Sequence, residues 1–534
     1  MTLPLILVND RPAGLADPPS ALAPCAESLQ QAVRAGIHPA PPPFPEGHGG
    51  AGLPAGSVAG FPPARAGTST RAVGHAPPNG VAVGHESPQG LSVGMISLGC
   101  PKNLVDGEVM LGHLQAAGYH VTPDADAADV LIVNTCAFIQ EAKEESIEAI
   151  LELAARKRAG RCRALLVAGC LPQRYRGELL PLLPEVDAFV GTGEFPRIAE
   201  ICADVLGGAA RREWVQSGTV LVHDLMPRLR STPPHFAYVK ISEGCDHTCA
   251  FCAIPAIRGR HASRPAESIV AEVRRLAAEG VREVSLVAQD STAYGRDRGE
   301  REGLARLLRA LAAVDGIVWI RVHYAYPSSV TPELIRAMAE EPKVCRYLDI
   351  PLQHLDDGML RAMARGGTGD GIRRLLGRFR DAIPDLTIRT SFIVGYPGET
   401  EAAFEALLRG VEELQFDRVG VFIYSPEEGT PAGALGGRVP RRVALARRRR
   451  LLAAAEKVSQ ARGRRLVGST RRILVDGTSP DSPLVMQGRT AAHAYEVDGV
   501  VFLSGGSARP GAFVQGRITA ARGHDLVAEV VEGR

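Results

Sequence analysis

The sequence predicts an α/β protein with several domains, and changes of pattern along the chain carry that prediction. Between residues 93 and 455, short apolar runs alternate with helical patterns, which is typical of parallel βα units. From residue 464 onward, short alternating strands are separated by glycine turns, which is typical of a small β-barrel. A chain of 534 residues with 45% hydrophobic residues is long enough for about three globular domains.

Residues 1–92 differ from the rest of the chain in composition. Residues 1–90 hold 16 of the 39 prolines and 13 glycines. Such a segment buries too little apolar surface to offset the loss of chain entropy, and we expect it to be disordered. A translation start at Val93 or Met95 is an alternative interpretation of this extension.

Residues 93–208 are predicted to form a doubly wound domain with cysteines at the ends of its strands. The predicted elements are a strand from 93 toward 100, a helix over 103–117, a strand over 129–134, a helix ending near 158 and a strand over 164–168. Cys100, Cys136 and Cys170 each follow one of these strands. Because the carboxyl ends of parallel strands share one edge of a sheet, the three thiols are expected to meet there. Three ordinary buried cysteines are the alternative.

Residues 233–455 are predicted to form a partial β/α barrel of six units. Its strands are expected over 237–241, 283–288, 317–322, 346–350, 386–394 and 418–424. A second group of thiols, Cys245, Cys249 and Cys252, has the spacing C-x3-C-x2-C and follows the first of these strands. Reactive groups in such barrels lie at the carboxyl ends of the strands, so the position of this group predicts the site of the chemistry.

Both groups of thiols indicate metal centres with three protein ligands each. A closed zinc site or an ordinary four-iron cluster takes four protein ligands, and structural zinc usually repeats C-x2-C pairs or adds histidine. The C-x3-C-x2-C segment at 245–252, called the tight motif, contains one such pair and has only His247 nearby. A zinc site there would lack its second pair of ligands. Two groups of three thiols therefore suggest two iron–sulfur clusters, each with one iron that the protein does not bind.

The C-terminal module, residues 464–534, is predicted to be a small β-barrel of OB-like size. Its strands are expected in R-R-I-L-V-D-G, Y-E-V-D-G-V-V-F-L and G-A-F-V-Q-G-R-I-T. Before the module, an arginine-rich run over 438–450 alternates with alanine, leucine and valine. This pattern predicts an amphipathic helix with its charged face in water. A basic patch for ribosomal RNA is the alternative.

Composition argues against several classes of protein. A net charge of +2 indicates no strongly charged partner, and no apolar run approaches the length of a membrane span. The first residues lack the basic start and the long apolar stretch of a secretory signal. Thiols reserved for metal then point to a reducing cytoplasm as the location.

The segment C-D-H-T-C-A-F-C at 245–252 is similar to the C-x3-C-x-aromatic-C signature of radical S-adenosylmethionine enzymes. The dispersed cysteines, this barrel and a terminal β-module resemble, in that order, the methylthiotransferase family, whose last module is the TRAM domain. The resemblance covers residues 93–530 and leaves only the N-terminal extension outside.

Two branches of that family differ in substrate, and the motifs of this chain resemble one of them. Enzymes that act on tRNA adenosine typically carry Gly-Cys-Gln-Met-Asn at the first cysteine. This chain has S-L-G-C-P-K-N-L-V-D at 97–106 and N-T-C-A-F-I-Q-E-A-K-E-E-S-I at 134–147. Both segments resemble the RimO branch, which methylthiolates the β-carbon of an aspartate in small-subunit ribosomal protein twelve. The segments P-L-Q-H at 351–354 and F-I-V-G-Y-P-G-E-T at 392–400 agree with that branch.

The resemblance implies two four-iron, four-sulfur (4Fe–4S) clusters and S-adenosylmethionine as cofactors. The C-x3-C-x2-C thiols would hold the cluster that splits S-adenosylmethionine into methionine and a 5′-deoxyadenosyl radical, which takes hydrogen from an unactivated carbon. The dispersed thiols would hold a second cluster, whose open iron carries sulfide or methylthiolate. A flavodoxin or ferredoxin is the implied electron donor.

Three polar residues on or after barrel strands are further candidates for contact with the cofactor. Gln289 follows V-S-L-V-A, Gln353 follows D-I-P-L, and Arg389 lies in T-I-R-T-S-F. The alternative is that the two glutamines begin turns and that Arg389 forms a salt bridge beside its strand.

Two other functions stay open on the sequence alone. A tRNA adenosine methylthiotransferase would use the same clusters on another substrate, although the motif after Cys136 argues against it. A zinc-stabilised nucleic-acid-binding protein would use the β-module and the arginines and would catalyse no reaction. The colour of the purified protein distinguishes the zinc-stabilised protein from the two enzymes, because zinc thiolates are colourless and iron–sulfur clusters are brown.

Overall fold

The computed structural model describes residues 90–505 and 508–531. Disorder was predicted for residues 1–92, of which residues 1–89 lie outside the described residues. The described chain has the predicted α/β multidomain architecture: a doubly wound domain, a partial β/α barrel and a closed β-barrel. None of the helices in the described ranges is long and apolar enough to cross a membrane.

The first domain is built on a six-stranded, wholly parallel sheet in the order β2-β1-β3-β4-β5-β6. Its strands are β1 (Ser92–Ser97), β2 (His120–Val121), β3 (Val130–Thr135), β4 (Ala164–Gly169), β5 (Ala188–Val190) and β6 (Glu213–Trp214). Its helices are α1 (Pro101–Ala116), α2 (Gln140–Ala159), α3 (Cys170–Tyr175), α4 (Leu179–Leu182) and α5 (Ile198–Leu206).

Helices cover both faces of this sheet, which is why its central strands are continuous apolar runs. Helices α1 and α5 share one core with the sheet, and α2, α3 and α4 share the other. The three long strands agree with the predicted ones. The strands β2, β5 and β6 were not predicted, because two or three residues carry too little periodicity, and β6 lies beyond the predicted end of the domain at 208.

The second domain is a partial barrel of two three-stranded parallel sheets, joined by a single bridge between Ile320 and Val344. Its strands are β7 (Phe236–Lys240), β10 (Glu283–Val287), β11 (Trp319–Val322), β12 (Tyr347–Asp349), β13 (Thr387–Val394) and β14 (Arg418–Ile423), and a small hairpin is formed by β8 (Ser242–Glu243) and β9 (Ala262–Ser263). Each of the six barrel strands overlaps its predicted range.

Eight helices of the described chain belong to this domain, and most of them pack on the outer face of the strands in one large core. They are α6 (Ile254–Arg258), α7 (Ala266–Ala278), α8 (Gly303–Ala312), α9 (Pro332–Glu340), α10 (Asp357–Ala362), α11 (Gly369–Ala382), α12 (Glu401–Leu414) and α13 (Arg441–Leu466).

The arginine-rich run forms helix α13, as predicted, but its arginines do not all face water. Arg447 is buried and bonds Glu399 at 2.7 Å, and the same guanidinium bonds Glu401 at 3.0 Å. Arg450 also bonds Glu401, at 3.0 Å. Part of the run therefore fastens α13 to α12 and to the loop before it. The predicted solvated charged face is wrong for the buried Arg447, whereas Arg450 is exposed to water.

The C-terminal module is a closed barrel in the order β15-β16-β17-β19-β18. Its strands are β15 (Thr470–Ser479), β16 (Ser482–Arg489), β17 (Val501–Ser504), β18 (Phe513–Arg522) and β19 (Asp525–Val531). The stretch Y-E-V-D-G at 495–499 was predicted to begin a strand and is instead part of a loop. The reason is that Asp498 in this loop accepts hydrogen bonds from the Tyr347 hydroxyl at 2.7 Å and from the backbone N–H of Ala494.

We predict that Gly112→Ala destabilises the protein by roughly 1–3 kcal/mol. A Cβ at Gly112 on α1 would lie 2.4 Å from the backbone carbonyl of Pro227, in the segment that connects the first domain to the barrel. The measurement is the midpoint of the first thermal transition in a calorimetric scan. Gly377→Ala on α11 is the matched control, because a Cβ there meets nothing within 4 Å. The control should stabilise by about 0.5–1 kcal/mol, and equal effects of the two changes would contradict the tight contact at Gly112.

Candidate functional site

The register of the first sheet explains how three cysteines far apart in sequence come together. Strands β1, β3 and β4 are adjacent and parallel, and Asn134 of β3 lies opposite both Ser97 and Ala168. The chain therefore leaves the three strands at one edge of the sheet. The cysteines that follow these strands are called the sheet-edge thiols: Cys100, Cys136 and Cys170.

Glycines before two of these cysteines allow the loops to approach one another. Gly99 has a φ of +89°, and a Cβ there would lie 2.6 Å from the Cβ of Cys136. Gly169 has a φ of +97°, and a Cβ there would lie 2.6 Å from the side-chain oxygen of Asn134. A larger residue fits neither the backbone angle nor the space. The glycine before Cys100 and the glycine before Cys170 are therefore required at this edge of the sheet.

The sheet-edge thiols are close enough to influence one another's ionisation. The pKa of Cys136 is raised to about 12, first by burial and then by the charges of Cys170 and Cys100. Burial opposes ionisation of Cys100 as well, but the charges of Lys102 and Arg258 hold the pKa of its thiol below the usual value. Arg258 also donates a hydrogen bond to Sγ of Cys170 at 3.3 Å. Two cations therefore stabilise negative charge at this edge.

The second group, called the barrel thiols (Cys245, Cys249 and Cys252), lies in the loop between β8 and α6. Burial raises the pKa of Cys245 to about 11 and that of Cys252 to about 12. Sγ of Cys249 accepts a hydrogen bond from Nη1 of Arg365 at 3.5 Å and lies 3.9 Å from the hydroxyl oxygen of Tyr326. A cation thus contacts a thiol in each group.

His247, inside the tight motif, has its own partners. Its Nε2 lies 2.6 Å from Oδ2 of Asp290, and its ring stacks on that of Tyr326 with centroids 3.6 Å apart. Asp290 in turn caps the turn after β10 by accepting from the N–H of Thr292. Through these contacts His247 lines the site, and the three barrel thiols remain the candidate metal ligands.

The chemistry of these donor sets fits iron–sulfur clusters better than zinc. Across residues 90–505 and 508–531, no three His, Cys, Asp or Glu side chains converge closely enough to hold a single metal ion. A structural zinc site takes four ligands at about 2.0–2.3 Å, and each group offers three thiols. Three thiolates suit a four-iron cluster held at three corners.

The three polar candidates from barrel strands lie in different surroundings. Nε2 of Gln289 donates to Oε1 of Glu243 at 2.5 Å, and Oε1 of Gln289 is buried without a partner among the described residues. Gln353 has a φ of +71° and forms a backbone bridge to β13. Arg389 bonds Asp349 at 2.9 Å, which is the salt bridge that was its alternative interpretation. Contacts of these residues with a cofactor stay predictions.

Sequence reasoning missed the cations that contact the thiols. Arg258 ends helix α6, a few residues after Cys252, and it was not distinguished from the many other arginines. Arg365 begins R-G-G-T-G-D-G at 365–371, a glycine-rich segment that in sequence resembles a helix cap. Thr368 of that segment does cap α11, accepting from the N–H of Gly371 at 3.1 Å. A signal was available for Arg258 in its closeness in sequence to the tight motif.

Three family models match successive parts of the chain. Residues 92–191 match the uncharacterized protein family UPF0004. Residues 239–411 match the radical SAM superfamily, and residues 467–531 match the TRAM domain. The matches coincide with the doubly wound domain, the partial barrel and the closed barrel.

Curated relatives match the chain over most of their own length. The ribosomal protein uS12 methylthiotransferase RimO of Geobacter sulfurreducens is 50% identical over 437 residues, which are 82% of this chain and 98% of that protein. The protein of the same name from Heliobacterium modesticaldum is 52% identical over 436 residues, or 82% of this chain and 94% of that protein. Among solved structures, the radical S-adenosylmethionine methyltransferase TsrM from Kitasatospora setae, with cobalamin and a 4Fe-4S cluster bound, is 14% identical with a TM-score of 0.48, covering 65% of this chain and 74% of that one.

We predict that iodoacetamide alkylates Cys100 of the metal-free protein before Cys136 and Cys252 at pH 7. The thiolate is the reactive form, and the pKa of Cys100 is lowered while those of Cys136 and Cys252 are raised to about 12. Raising the pH should speed labelling of the last two by about tenfold per unit, because each stays below its pKa. Mass spectrometry of timed digests measures the order, and guanidinium-unfolded protein, where all thiols should react alike, is the control. Labelling of Cys136 as fast as Cys100 would contradict the charge arrangement.

Proposed function

We propose that this chain, which belongs to the ribosomal protein uS12 methylthiotransferase (RimO) family, replaces a hydrogen on the β-carbon of an aspartate in uS12, small-subunit ribosomal protein twelve, by a methylthio group. The observation that carries the proposal is the pair of three-thiol groups, one at the sheet edge and one in the barrel, on either side of a shared buried interface. The radical SAM match supports S-adenosylmethionine and a 4Fe–4S cluster at the barrel thiols.

The barrel thiols would hold that cluster by three corners and leave the fourth iron for S-adenosylmethionine. A cluster bound there would supply the electron for reductive cleavage of S-adenosylmethionine, the chemistry needed to remove hydrogen from an unactivated carbon. The protein's part is to bind and orient. Arg365 donates to Cys249, and the stacked His247 and Tyr326 form one wall beside the same thiols.

The sheet-edge thiols would hold a second cluster, and this part of the proposal rests on the donor set itself. Cys136 and Cys170 are 9% and 7% exposed, so their loops shield the edge from water. Lys102 and Arg258 place positive charge where a cluster ligated by three thiolates is negative. The chemistry supplied there would be the delivery of sulfur and its methyl group.

Helix α6 supports the idea that both sites act on one carbon. It begins just after the barrel thiols, and its last residue, Arg258, contacts Cys170 of the other group. Hydrogen removal and sulfur addition must occur at the same β-carbon, so the two sites have to reach one bound side chain. A helix of five residues between them satisfies that requirement.

The rival functions have less support. The curated relatives described above are named for ribosomal protein uS12 rather than for a tRNA substrate, and each thiol group offers three ligands where structural zinc takes four. For the electron, a flavodoxin or ferredoxin is the proposed donor. The reducing cytoplasm is the proposed location, because the thiols that would bind metal are free cysteines in the described residues.

The first test is the mass of a product. Enzyme reconstituted anaerobically with iron and sulfide would be incubated with reductant, S-adenosylmethionine and a peptide from the target loop of uS12. We expect a gain of about 46 Da on the aspartate, from replacement of H by SCH3. Omitting the reductant is the control and should leave the mass unchanged. Formation of 5′-deoxyadenosine without a change in peptide mass would contradict the proposed substrate and direct attention to tRNA.

The second test separates the two groups of thiols. Cys249→Ala should abolish cleavage of S-adenosylmethionine, while Cys136→Ala should retain cleavage and lose methylthio transfer. The measurements are 5′-deoxyadenosine and methylthiolated peptide from the same reactions. Cys162→Ala is the matched control, because Cys162 is a buried thiol outside both groups, and it should keep both activities. Equal loss of both reactions in the two cluster variants would overturn this division of labour.

A further inference from the structure

Lys102 is a buried cation that no described carboxylate bonds, and the negative group beside it is the thiolate of Cys100. Three lysines there are buried: Lys102, Lys143 and Lys240. Lys240 pairs with Asp106 and Glu243, and Lys143 pairs with Glu427 at 3.0 Å. Lys102 is 9% exposed, and no described carboxylate lies within ion-pair distance of its Nζ. Burying a charge without a carboxylate is unfavourable, and Lys102 shares the Cys100 thiolate with Arg258, so this ammonium can accept a further anion that is not part of the chain.

The ammonium of Lys102 lies between the two thiol groups. Lys102 is the second residue of α1, just after Cys100, and its Nζ lies 3.6 Å above the ring centroid of Tyr324. Tyr324 follows barrel strand β11, and Tyr326, two residues on, has its hydroxyl 3.9 Å from Sγ of Cys249. Lys102 therefore reaches from the sheet edge to the carboxyl end of the barrel.

Tyr324 is held in an unusual conformation beneath the ammonium. Its φ is +61°, a region that residues other than glycine rarely adopt and that is often found at functional sites. Its backbone N–H donates to Oδ2 of Asp349 at 3.3 Å. The aromatic face of Tyr324 stabilises the ammonium on one side.

The carboxylates of Glu243, which acts on Lys102, and of Asp349, which is bonded by Tyr324, already have cationic partners. Glu243 is bonded by Lys240 and Arg258. Asp349 is bonded by Arg389 at 2.9 Å and lies 3.3 Å from a ring nitrogen of His323. An incoming carboxylate would therefore find in Lys102 a cation that no carboxylate of the described chain bonds.

We propose that Nζ of Lys102 binds the side-chain carboxylate of the substrate aspartate. This inference rests on the proposed function and names the residue that selects an acidic side chain. The β-carbon is bonded directly to the carboxylate carbon, so a cation that holds the carboxylate also fixes the carbon that reacts. Lys102 is thus a specificity-determining residue, and aspartate is preferred over its uncharged isostere asparagine because only the carboxylate neutralises the ammonium.

The experiment compares two peptides on reconstituted full-length enzyme. Fluorescently labelled target-loop peptides carrying Asp or Asn at the modified position are titrated against the wild type, Lys102→Met and Lys102→Arg, and dissociation constants are measured by anisotropy. The wild type should bind the Asp peptide at least tenfold more tightly than the Asn peptide. Lys102→Met removes the charge at nearly constant length and should bring that ratio close to one, whereas Lys102→Arg should retain most of it. Lys457→Met, on the exposed face of α13, is the matched control and should behave as the wild type.

Iron and sulfide content per chain is measured on every variant to exclude a role at the cluster. Loss of iron from Lys102→Met to the level of Cys136→Ala would mean that Lys102 serves the Cys100 thiolate, and the proposal would be wrong. A tenfold preference for Asp that persists in Lys102→Met would also overturn it. If the wild type gives the mass gain but binds both peptides equally, only the assignment of Lys102 fails. If the wild type neither binds nor modifies the Asp peptide, the proposed function fails, and the assignment fails with it.

Discussion

The buried carboxylate of Asp106 on α1 accepts hydrogen bonds from two cations of the barrel. Nζ of Lys240, at the end of β7, bonds one oxygen at 2.5 Å, and Nη1 of Arg258, at the end of α6, bonds the other at 2.6 Å. All three side chains are less than 5% exposed. Removing one member of such a buried set costs about 3–5 kcal/mol, because the remaining charges lose their partner. The position of the sheet edge relative to the barrel depends on this arrangement.

Two other buried carboxylates repeat the arrangement around the site. Glu108, also on α1, bonds Arg228 of the connecting segment at 2.6 Å. Glu427, in the loop after β14, bonds Lys143 of α2 and Arg174 of α3 at 3.0 and 2.7 Å. Glu427 thus fastens the doubly wound domain to the loop after barrel strand β14, and Glu108 fastens it to the connecting segment. Buried ion pairs add little net stability but fix one relative orientation, which is what two centres acting on one carbon require.

The sequence predicts those parts of the molecule whose structure is marked by a pattern of neighbouring residues. Buried strands such as β3 are continuous apolar runs, and the thiols are recognised by spacing or by their position after a strand. The ion pairs that join the domains have no such signal. Lys143 and Glu427 are 284 positions apart, and a buried charged residue has the same sequence pattern as a solvated one. The loop at 495–499 was mistaken for a strand for a related reason: its alternating pattern reflects contacts with another domain.

Those contacts also limit what the terminal module can do. Arg489, at the end of β16, bonds Glu283, and Phe513 packs on Trp319 with centroids 4.8 Å apart. Glu283 and Trp319 are the first residues of β10 and β11, so the module covers the amino-terminal end of the barrel. The barrel thiols lie beyond the other end, after β7 and β8. Because the module closes the end away from the chemistry, it cannot contact the reacting carbon itself. If the module binds a protein substrate, it does so with its outer face. Recognition of the aspartate is then a task of the residues between the thiol groups.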